Sequence, residues 1–280
     1  MNSAANSYRF RLSPALLVGL VLFPLTVADA IIIRHDKSYV SYQAREDQFP
    51  AVFYLERQGG RKVCVATLID PQWALTAAHC ATETGLAESL QRKQPFRVRL
   101  AGRARLIDGL VIHPDYVPGA STEVDMALLR FDQPVTFPVP IPLHTEGDEN
   151  GRIVSLLGWG FFGIGTTGRQ YDDGKFRHAR NRITRAGRRL HLVFDDPRQS
   201  GSRSLALEGM PGLGDSGGPA LLRNEAGWTL AGVAVGELMA AGFDEETQGS
   251  YGAVAVYERV SRHIPWIRRT ITGNSGVPGS

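Results

Sequence analysis

A glycine-rich stretch from Gly212 to Pro219 reads GLGDSGGP and places an acid and a serine among four glycines. Because ordered glycine is costly, such a cluster predicts a turn in which the main chain approaches another group closely. The segment Gly214–Gly218 also fits the G-x-S-x-G pattern of a nucleophile elbow, in which a serine attacks a carbonyl carbon. An ordinary surface turn is the alternative. The rest of the sequence must decide whether Ser216 does chemistry.

Two other segments carry groups suited to proton transfer. His79 stands beside Cys80 after an apolar run, and Asp125 precedes the apolar run from Met126 to Phe131. Taken singly, such a histidine is usually structural, and an acid at a strand end is usually exposed. The other histidines have no partner at metal-ligand spacing, and the sequence shows no phosphate loop or cofactor motif. We therefore expect neither a cofactor nor a metal.

Short apolar runs separated by Gly, Pro and Asp predict the elements that must position these residues. Such runs are typical of an antiparallel sandwich or barrel, so the fold class is all-β. The runs are Ala51–Leu55, Val63–Ile69, Phe96–Leu100, Met126–Phe131, Ile153–Leu157, Leu190–Phe194, Trp228–Val235 and Gly252–Tyr257.

Length and composition indicate a folded protein of two halves. The chain has 280 residues, of which 43% are hydrophobic and 21% charged, which is a globular composition. Four prolines between Asp132 and Leu143 predict an extended linker. The predicted domains are therefore residues 31–135 and 136–270. A short helix is expected over residues 260–270, and residues 271–280 are expected to form a flexible tail.

The first thirty residues have the pattern of a secretory signal. Arg9 and Arg11 precede an apolar run from Ala15 to Val27, and small residues follow at Ala28 and Ala30. The run is interrupted by proline and is shorter than the roughly 20 residues that span a membrane. Export to a periplasm or to the outside is predicted, with no membrane anchor. Cleavage after Ala30 would expose Ile31, and cleavage after Ala28 is the alternative.

The charge balance argues against a nucleic-acid partner. Removing residues 1–30 takes away two arginines and one aspartate, so the formal net charge falls from +3 to +2. A basic run from Lys175 to Arg189 contains one aromatic residue and is flanked by acids, which favours a solvated strand face over a nucleic-acid patch. The two cysteines, Cys64 and Cys80, are predicted to form a disulfide in an oxidising compartment.

Together, these segments resemble the trypsin and chymotrypsin family of serine endopeptidases. The shared motifs are TAAHC around His79, DMALL from Asp125 and GDSGGP around Ser216, in that order along the chain. The similarity extends to Val111–Pro114, Gly158–Gly160, Val256–Val260 and Pro265–Ile267, and spans nearly all of residues 31–270.

The resemblance implies two six-stranded antiparallel β-barrels with the active site between them and a short C-terminal helix. It implies that Ser216 is the nucleophile, His79 the general base and Asp125 the residue that orients the imidazole. The amides of Gly214 and Ser216 would form the oxyanion hole. A new terminus at Ile31 would pair with Asp215, since a buried carboxylate needs a partner. The expected protein is a monomer that takes a protein or peptide substrate and can be bound by a proteinaceous inhibitor.

Departures from the family pattern concern specificity and the N-terminus. Met210 stands six residues before Ser216, where trypsin-like members have an acid, which predicts a preference for hydrophobic or small P1 side chains. A shifted loop, or an approach by Glu208 or Glu237, would instead favour cationic ones. The pocket residues predicted with Met210 are Val235, Gly236 and Ala255. The chain begins Ile-Ile-Ile rather than Ile-Val-Gly-Gly after the signal, and Gly212 replaces a cysteine of a second disulfide.

Two other functions stay open at this point. A G-x-S-x-G esterase requires a strand before Ser216, a helix after it, and an acid and a histidine that follow the serine in the chain. A protease-like binding protein that has lost catalysis is the non-enzyme alternative, although all three residues of the triad are present.

Overall fold

The computed structural model describes residues 31–59, 61–120, 123–238 and 248–274. The predicted signal sequence, residues 1–30, lies outside them, as do residues 275–280 of the predicted tail. The described residues are mostly β. The strands are β1 (Ile31–Ile33), β2 (Val52–Gln58), β3 (Arg61–Asp70), β4 (Trp73–Thr76), β5 (Phe96–Leu100), β6 (Arg103–Ile112), β7 (Ala127–Phe131), β8 (Ile153–Gly158), β9 (Phe162–Ile164), β10 (Gly168–Tyr171), β11 (Arg177–Ala186), β12 (Arg189–Val193), β13 (Gly209–Met210), β14 (Pro219–Asn224), β15 (Gly227–Leu238) and β16 (Val254–Arg259).

The first half forms a six-stranded antiparallel sheet in the order β2-β3-β4-β7-β6-β5. Its strands alternate buried and exposed residues where one face meets solvent, as in β5, which pairs with β6 from Phe96↔Ile107 to Leu100↔Arg103. Two short helices, α1 (Ala78–Glu83) and α2 (Leu86–Gln91), follow β4. The end of β4 therefore delivers the chain directly into the helix that carries His79.

The second half closes into a six-stranded barrel in the order β11-β12-β16-β15-β14-β8. Its core holds the inward side chains of these strands, among them Leu156, Leu192 and Tyr257. The prediction of two six-stranded barrel-like sheets with a short C-terminal helix is confirmed. That helix, α3, spans Ile264–Asn274, so it continues four residues past the predicted boundary at Thr270.

The N-terminal strand β1 belongs with the second half and not with the first. It pairs in parallel with β9 and antiparallel with β13, in a four-stranded sheet of order β10-β9-β1-β13. Conversely, Ile264 and Ile267 of α3 join the apolar cluster that contains the core of the first half. Each end of the described chain thus packs across the boundary at residue 135 that the sequence predicts.

The basic run forms strand β11 and the start of β12, as predicted, but its face is not solvated throughout. Buried and less buried residues alternate along β11. Arg177 is fully buried and donates to both carboxylate oxygens of Asp173 at 3.1 Å. The side chain is buried because a flanking acid neutralises it. None of the helices in the described part of the chain is long and apolar enough to span a membrane.

Candidate active site

His79 and Asp125 are joined by two hydrogen bonds. His79 is the second residue of α1, and its main-chain N–H donates to Oδ1 of Asp125 at 2.9 Å. Its ring Nδ1 lies 2.5 Å from Oδ2 of the same carboxylate. An ionised carboxylate only accepts hydrogen bonds, so the proton of the neutral imidazole lies on Nδ1 and leaves Nε2 as a base. Asp125 holds the ring in the tautomer that general-base catalysis needs.

The surroundings of His79 favour its protonated form. Burial is the largest single influence and lowers the pKa of His79, but the hydrogen bond and charge of Asp125, together with Glu83 and Glu123, outweigh it. The pKa of His79 is therefore raised above its usual value. An imidazole that readily takes up a proton is suited to deprotonating a hydroxyl near neutral pH.

The turn that carries Ser216 is fastened to the first half of the fold by main-chain hydrogen bonds. The carbonyl of Gly214 accepts from the N–H of Cys64 at 3.0 Å, and the carbonyl of Ser216 accepts from Val65 at 2.7 Å. The carbonyl oxygen of Val65 accepts a hydrogen bond from the hydroxyl of Thr76 at 2.7 Å. Thr76 lies three residues before His79. Val65 of β3 therefore contacts both the serine turn and the residue that leads into α1. In the part of the chain that the structure describes, no hydrogen bond joins Oγ of Ser216 to His79.

Two glycines of this turn are required by its geometry. Gly214 has a φ of +93° and Gly217 a φ of +78°, conformations that other residues rarely adopt. A Cβ at Gly217 would lie 2.1 Å from the carbonyl oxygen of Val65 and 2.3 Å from Oγ1 of Thr76. Among the described residues, the amides of Gly214 and Ser216 donate to no protein acceptor. These two N–H groups are available to an oxyanion.

Asp215 points away from the turn into the interior. Its carboxylate accepts from the N–H groups of Gly160 at 2.6 Å and Gly212 at 2.9 Å. A Cβ at Gly158 would lie 1.8 Å from Oδ1, so the Gly158–Gly160 motif leaves the space that this carboxyl occupies. Burial raises the pKa of Asp215 to about 6, although the main-chain donors oppose the shift. Ile31 lines the same small internal space as Asp215.

The predicted disulfide between Cys64 and Cys80 is present, with an S–S distance of 2.06 Å. It ties β3 to α1 beside His79. The two sulfurs and the imidazole lie within 4.8 Å of one another, but both sulfurs are used by the disulfide. This trio therefore offers a metal ion one ordinary ligand, whereas a zinc site needs at least three protein ligands.

Comparison with known proteins gives the family. The Trypsin family model matches residues 39–267. The chain belongs to the trypsin family of serine endopeptidases. It is 28% identical to tryptase from Mus musculus over 232 residues, which cover 74% of the chain and 78% of the tryptase. It is 30% identical to vitamin K-dependent protein C from Oryctolagus cuniculus over 239 residues, covering 78% of the chain but 48% of protein C.

A solved structure of mouse neuropsin has the same fold. The two chains superpose with a TM-score of 0.59 and 19% sequence identity, covering 82% of this chain and 98% of the neuropsin chain. The strand that follows Ser216 in this trypsin-family chain is β14, which begins at Pro219. The esterase alternative required a helix there, so that interpretation is wrong.

The residues predicted for the specificity pocket fall into two environments. Met210 is 1% exposed and pairs with Ile32, and it packs in one apolar cluster with Ala255. Val235 is half-buried against the apolar cluster that contains the core of the first half. Gly236 is exposed at the point where the pairing of β15 with β16 shifts register. Residues 239–247, which follow β15, lie outside the described residues. The P1 preference stays a prediction.

The two acids considered as alternatives for a cationic P1 residue are placed differently. Glu208 is fully buried, and its carboxylate accepts from the N–H of Asp195 at 2.7 Å and of Leu205 at 2.5 Å. Burial raises the pKa of Glu208 to about 7. Both oxygens are thus occupied by main-chain donors. Glu237 is half-buried, and burial raises its pKa too.

One residue at the site was missed by the sequence analysis. Glu258 is fully buried, and its Oε1 accepts the N–H of Asp125 at 3.1 Å. The sequence contains this residue within the Val256–Val260 motif, but an acid near a strand end is ordinarily exposed. A buried acid that pairs with an arginine of a neighbouring strand cannot be recognised before the strands are paired.

Proposed function

We propose that the protein is an exported serine endopeptidase in which Ser216, His79 and Asp125 form the catalytic triad. The observation that carries the proposal is the pair of hydrogen bonds from His79 to Asp125, next to a serine turn anchored on the same strands. Membership of the trypsin family supports it. The disulfide supports export, because disulfides persist in oxidising compartments.

The reaction proceeds through an acyl-enzyme. Nε2 of His79 takes the hydroxyl proton of Ser216 as Oγ forms a bond to the carbonyl carbon of the substrate. The carbonyl oxygen becomes negative and accepts from the amides of Gly214 and Ser216. One such donor is worth roughly 3–4 kcal/mol of barrier. The C–N bond then breaks as His79 returns the proton to the leaving amine, and a water molecule hydrolyses the ester by the same route.

The second part of the proposal is that the active form begins at Ile31 and that its amine pairs with Asp215. The two residues line one internal space, and Asp215 has no cationic hydrogen-bond donor among the described residues. Ile31 has a φ of +62°, a strained conformation for a β-branched residue. Cleavage before Ile31 removes the preceding carbonyl that makes this torsion unfavourable. It also supplies an ammonium group to a carboxylate that lacks one.

The third part concerns the substrate. We propose a protein or peptide cut after hydrophobic or small P1 residues, because Met210 and Ala255 lie in an apolar cluster and Glu208 is bonded elsewhere. A panel of chromogenic peptides that differ only at P1 tests this. We expect cleavage after Phe, Leu or Ala to exceed cleavage after Arg at least about tenfold, which corresponds to about 1.4 kcal/mol. Exclusive cleavage after Arg would refute it. Action as a monomer and inhibition by a protein inhibitor stay predictions.

Hydrolysis of a quenched fluorescent peptide tests the activity itself. Protein that begins at Ile31 is compared with its Ser216→Ala variant, which keeps the turn and removes the nucleophile. We expect turnover by the first and at least a 10³-fold loss in the second. Equal turnover by both proteins would contradict the proposal. No turnover on any peptide by folded protein would favour the protease-like binding protein.

A further inference from the structure

Glu258 connects the two halves of the fold directly behind Asp125. It lies on β16, opposite Arg189 of β12 and Val233 of β15. Its Oε1 accepts from the N–H of Asp125 at 3.1 Å and from Nε of Arg189 at 2.7 Å. Asp125 precedes β7 and lies outside any strand. Its main-chain N–H therefore depends on this side chain for a partner.

The second oxygen of Glu258 faces a histidine. Oε2 lies 3.8 Å from Nε2 of His263, and in the described part of the chain neither atom has a hydrogen-bond partner. The groups that face Glu258 are Asp125, Arg189, His263 and, by its charge, Arg188. Glu123 lies beyond Arg189, and His113, Arg262 and Asp115 act on His263. Burial lowers the pKa of His263 to about 4, and His113, Arg262 and Arg188 add to this. His263 is therefore neutral at neutral pH.

Arg189 pairs with Glu258, but the pKa of Glu258 is still raised above its usual value. Burial raises the pKa of Glu258, while the charge of Arg189 and the hydrogen bonds from Asp125 and Arg189 oppose this. A buried ion pair of this kind is weak evidence for stability, because an apolar pair of the same volume is often as stable. The cost of burying Glu258 is explained if its carboxylate is needed to hold Asp125.

We propose that Glu258, paired with Arg189, is a positioning residue for the triad: it fixes the main chain of Asp125 through the N–H that its carboxylate accepts. Asp125 uses both carboxylate oxygens on His79, so its own anchor is the N–H that Glu258 accepts. Displacing Asp125 would release the imidazole of His79 from the orientation in which Asp125 holds it. This inference rests on the proposed function.

The experiment compares two substitutions of Glu258 with a control substitution of Glu149. Glu149 is the ion-pair partner of Arg259, the residue that follows Glu258. Glu258→Leu removes both the acceptor and the charge, whereas Glu258→Gln keeps an acceptor and removes only the charge. The control is Glu149→Leu. Glu149 is also fully buried, and Arg259 of the same strand donates to it at 3.0 and 2.5 Å. It therefore reproduces the loss of a buried ion pair without a bond to Asp125.

We expect kcat for Glu258→Leu to fall about 10- to 100-fold with KM nearly constant, because a charge-assisted hydrogen bond that aligns the base is lost. Glu258→Gln is expected to lower kcat less, because its amide oxygen can still accept the N–H of Asp125. Glu149→Leu is expected to lower the melting temperature and leave kcat per active site near the wild-type value.

Activity is expressed per active site by titration with a fluorophosphonate. If Glu258→Leu does not fold, the double variant Arg189→Leu/Glu258→Leu removes the unpaired charge and is measured instead. Wild-type kcat in Glu258→Leu, a kcat for Glu258→Gln as low as that for Glu258→Leu, or an equal kcat loss in Glu149→Leu would overturn the inference. A folded wild type that neither hydrolyses peptides nor reacts with the fluorophosphonate would instead overturn the proposed function.

Discussion

At the scale of single residues, the site depends on where protons lie. The carboxylate of Asp125 fixes the tautomer of His79 and raises the pKa of its ring. In the proposed mechanism His79 is the general base and works only in its neutral form, so we expect activity to rise with pH as His79 loses its proton. Because the pKa of His79 is raised, this rise lies at higher pH than for an unperturbed histidine.

The substitution Asp125→Asn tests this relation. An amide removes the charge that raises the pKa of His79 and can present an N–H to Nδ1, which favours the wrong tautomer. We expect kcat to fall by roughly 10⁴-fold and the acid limb of the kcat/KM profile to move to lower pH. The pH profiles of the two proteins on one peptide measure both effects. An unchanged acid limb would show that another group controls it.

The turn at Ser216 offers a second test at this scale. Gly217 and Gly151 share a φ of +78°, but a Cβ at Gly151 meets nothing within 4 Å whereas one at Gly217 meets Val65 and Thr76. Alanine at Gly151 should cost only backbone strain, on the order of 1 kcal/mol. Alanine at Gly217 should displace the serine turn and abolish peptide hydrolysis. Normal hydrolysis by folded Gly217→Ala protein would contradict the described packing.

At the scale of elements, the site is assembled by contacts within the first half and by contacts between the two halves. The disulfide ties α1 to β3, the turn at Ser216 bonds to the same strand, and β1 crosses to β9 and β13. The alternation of apolar and polar residues predicts both ends of a strand such as β5. It does not reveal the partner of β1, since its partners lie more than 120 residues away. Arg177 and Glu258 were missed for the same reason, because their burial follows from pairing and not from local pattern.

Removing the disulfide tests its share of the stability. The bridge closes a loop with a sequence separation of 16, and the chain-entropy model assigns such a loop about 3 kcal/mol. We expect the Cys64→Ala/Cys80→Ala protein to lose about that much free energy of unfolding in urea titrations. Reduction of the wild type should reproduce the loss. A double variant as stable as the wild type would show that packing alone holds α1 on β3.

At the scale of the whole molecule, the two forms of the chain should differ in how stability depends on pH. With residues 1–30 attached, the pKa of Asp215 is about 6, above its usual value of 3.8. The folded state then binds more protons than the unfolded state between these values, so stability falls as pH rises from about 4 to 6 and stays lower above. A shift of this size corresponds to about 3 kcal/mol.

An amine at Ile31 reverses the direction in which stability changes with pH. A nearby ammonium group lowers the pKa of Asp215, and stability then falls as pH drops through the lowered value. Urea unfolding of Ser216→Ala protein, with and without residues 1–30, measures the two dependences between pH 4 and 8. Asp215→Asn should stabilise the longer form at pH 8 and destabilise the shorter one. The same pH dependence in both forms would rule out the pairing.

The sequence predicted the barrels, the disulfide and the residues assigned to the triad, because these are carried by local motifs. It did not predict the anchoring of Asp125 by Glu258, or the burial of Met210 against β1, because both depend on contacts between distant strands. The candidate catalytic residues can therefore be predicted from short motifs, whereas the contacts that position them cannot.

Mass spectrometry of the fluorophosphonate adduct tests the central claim most directly. Protein that begins at Ile31 is incubated with the reagent, digested and sequenced, with His79→Ala as the control that lacks the base. We expect one adduct per chain, on Ser216, with labelling of His79→Ala slower by at least about 10³-fold. Folded wild-type protein that remains unlabelled, or that carries the adduct on another residue, would contradict the assignment of Ser216 as the nucleophile.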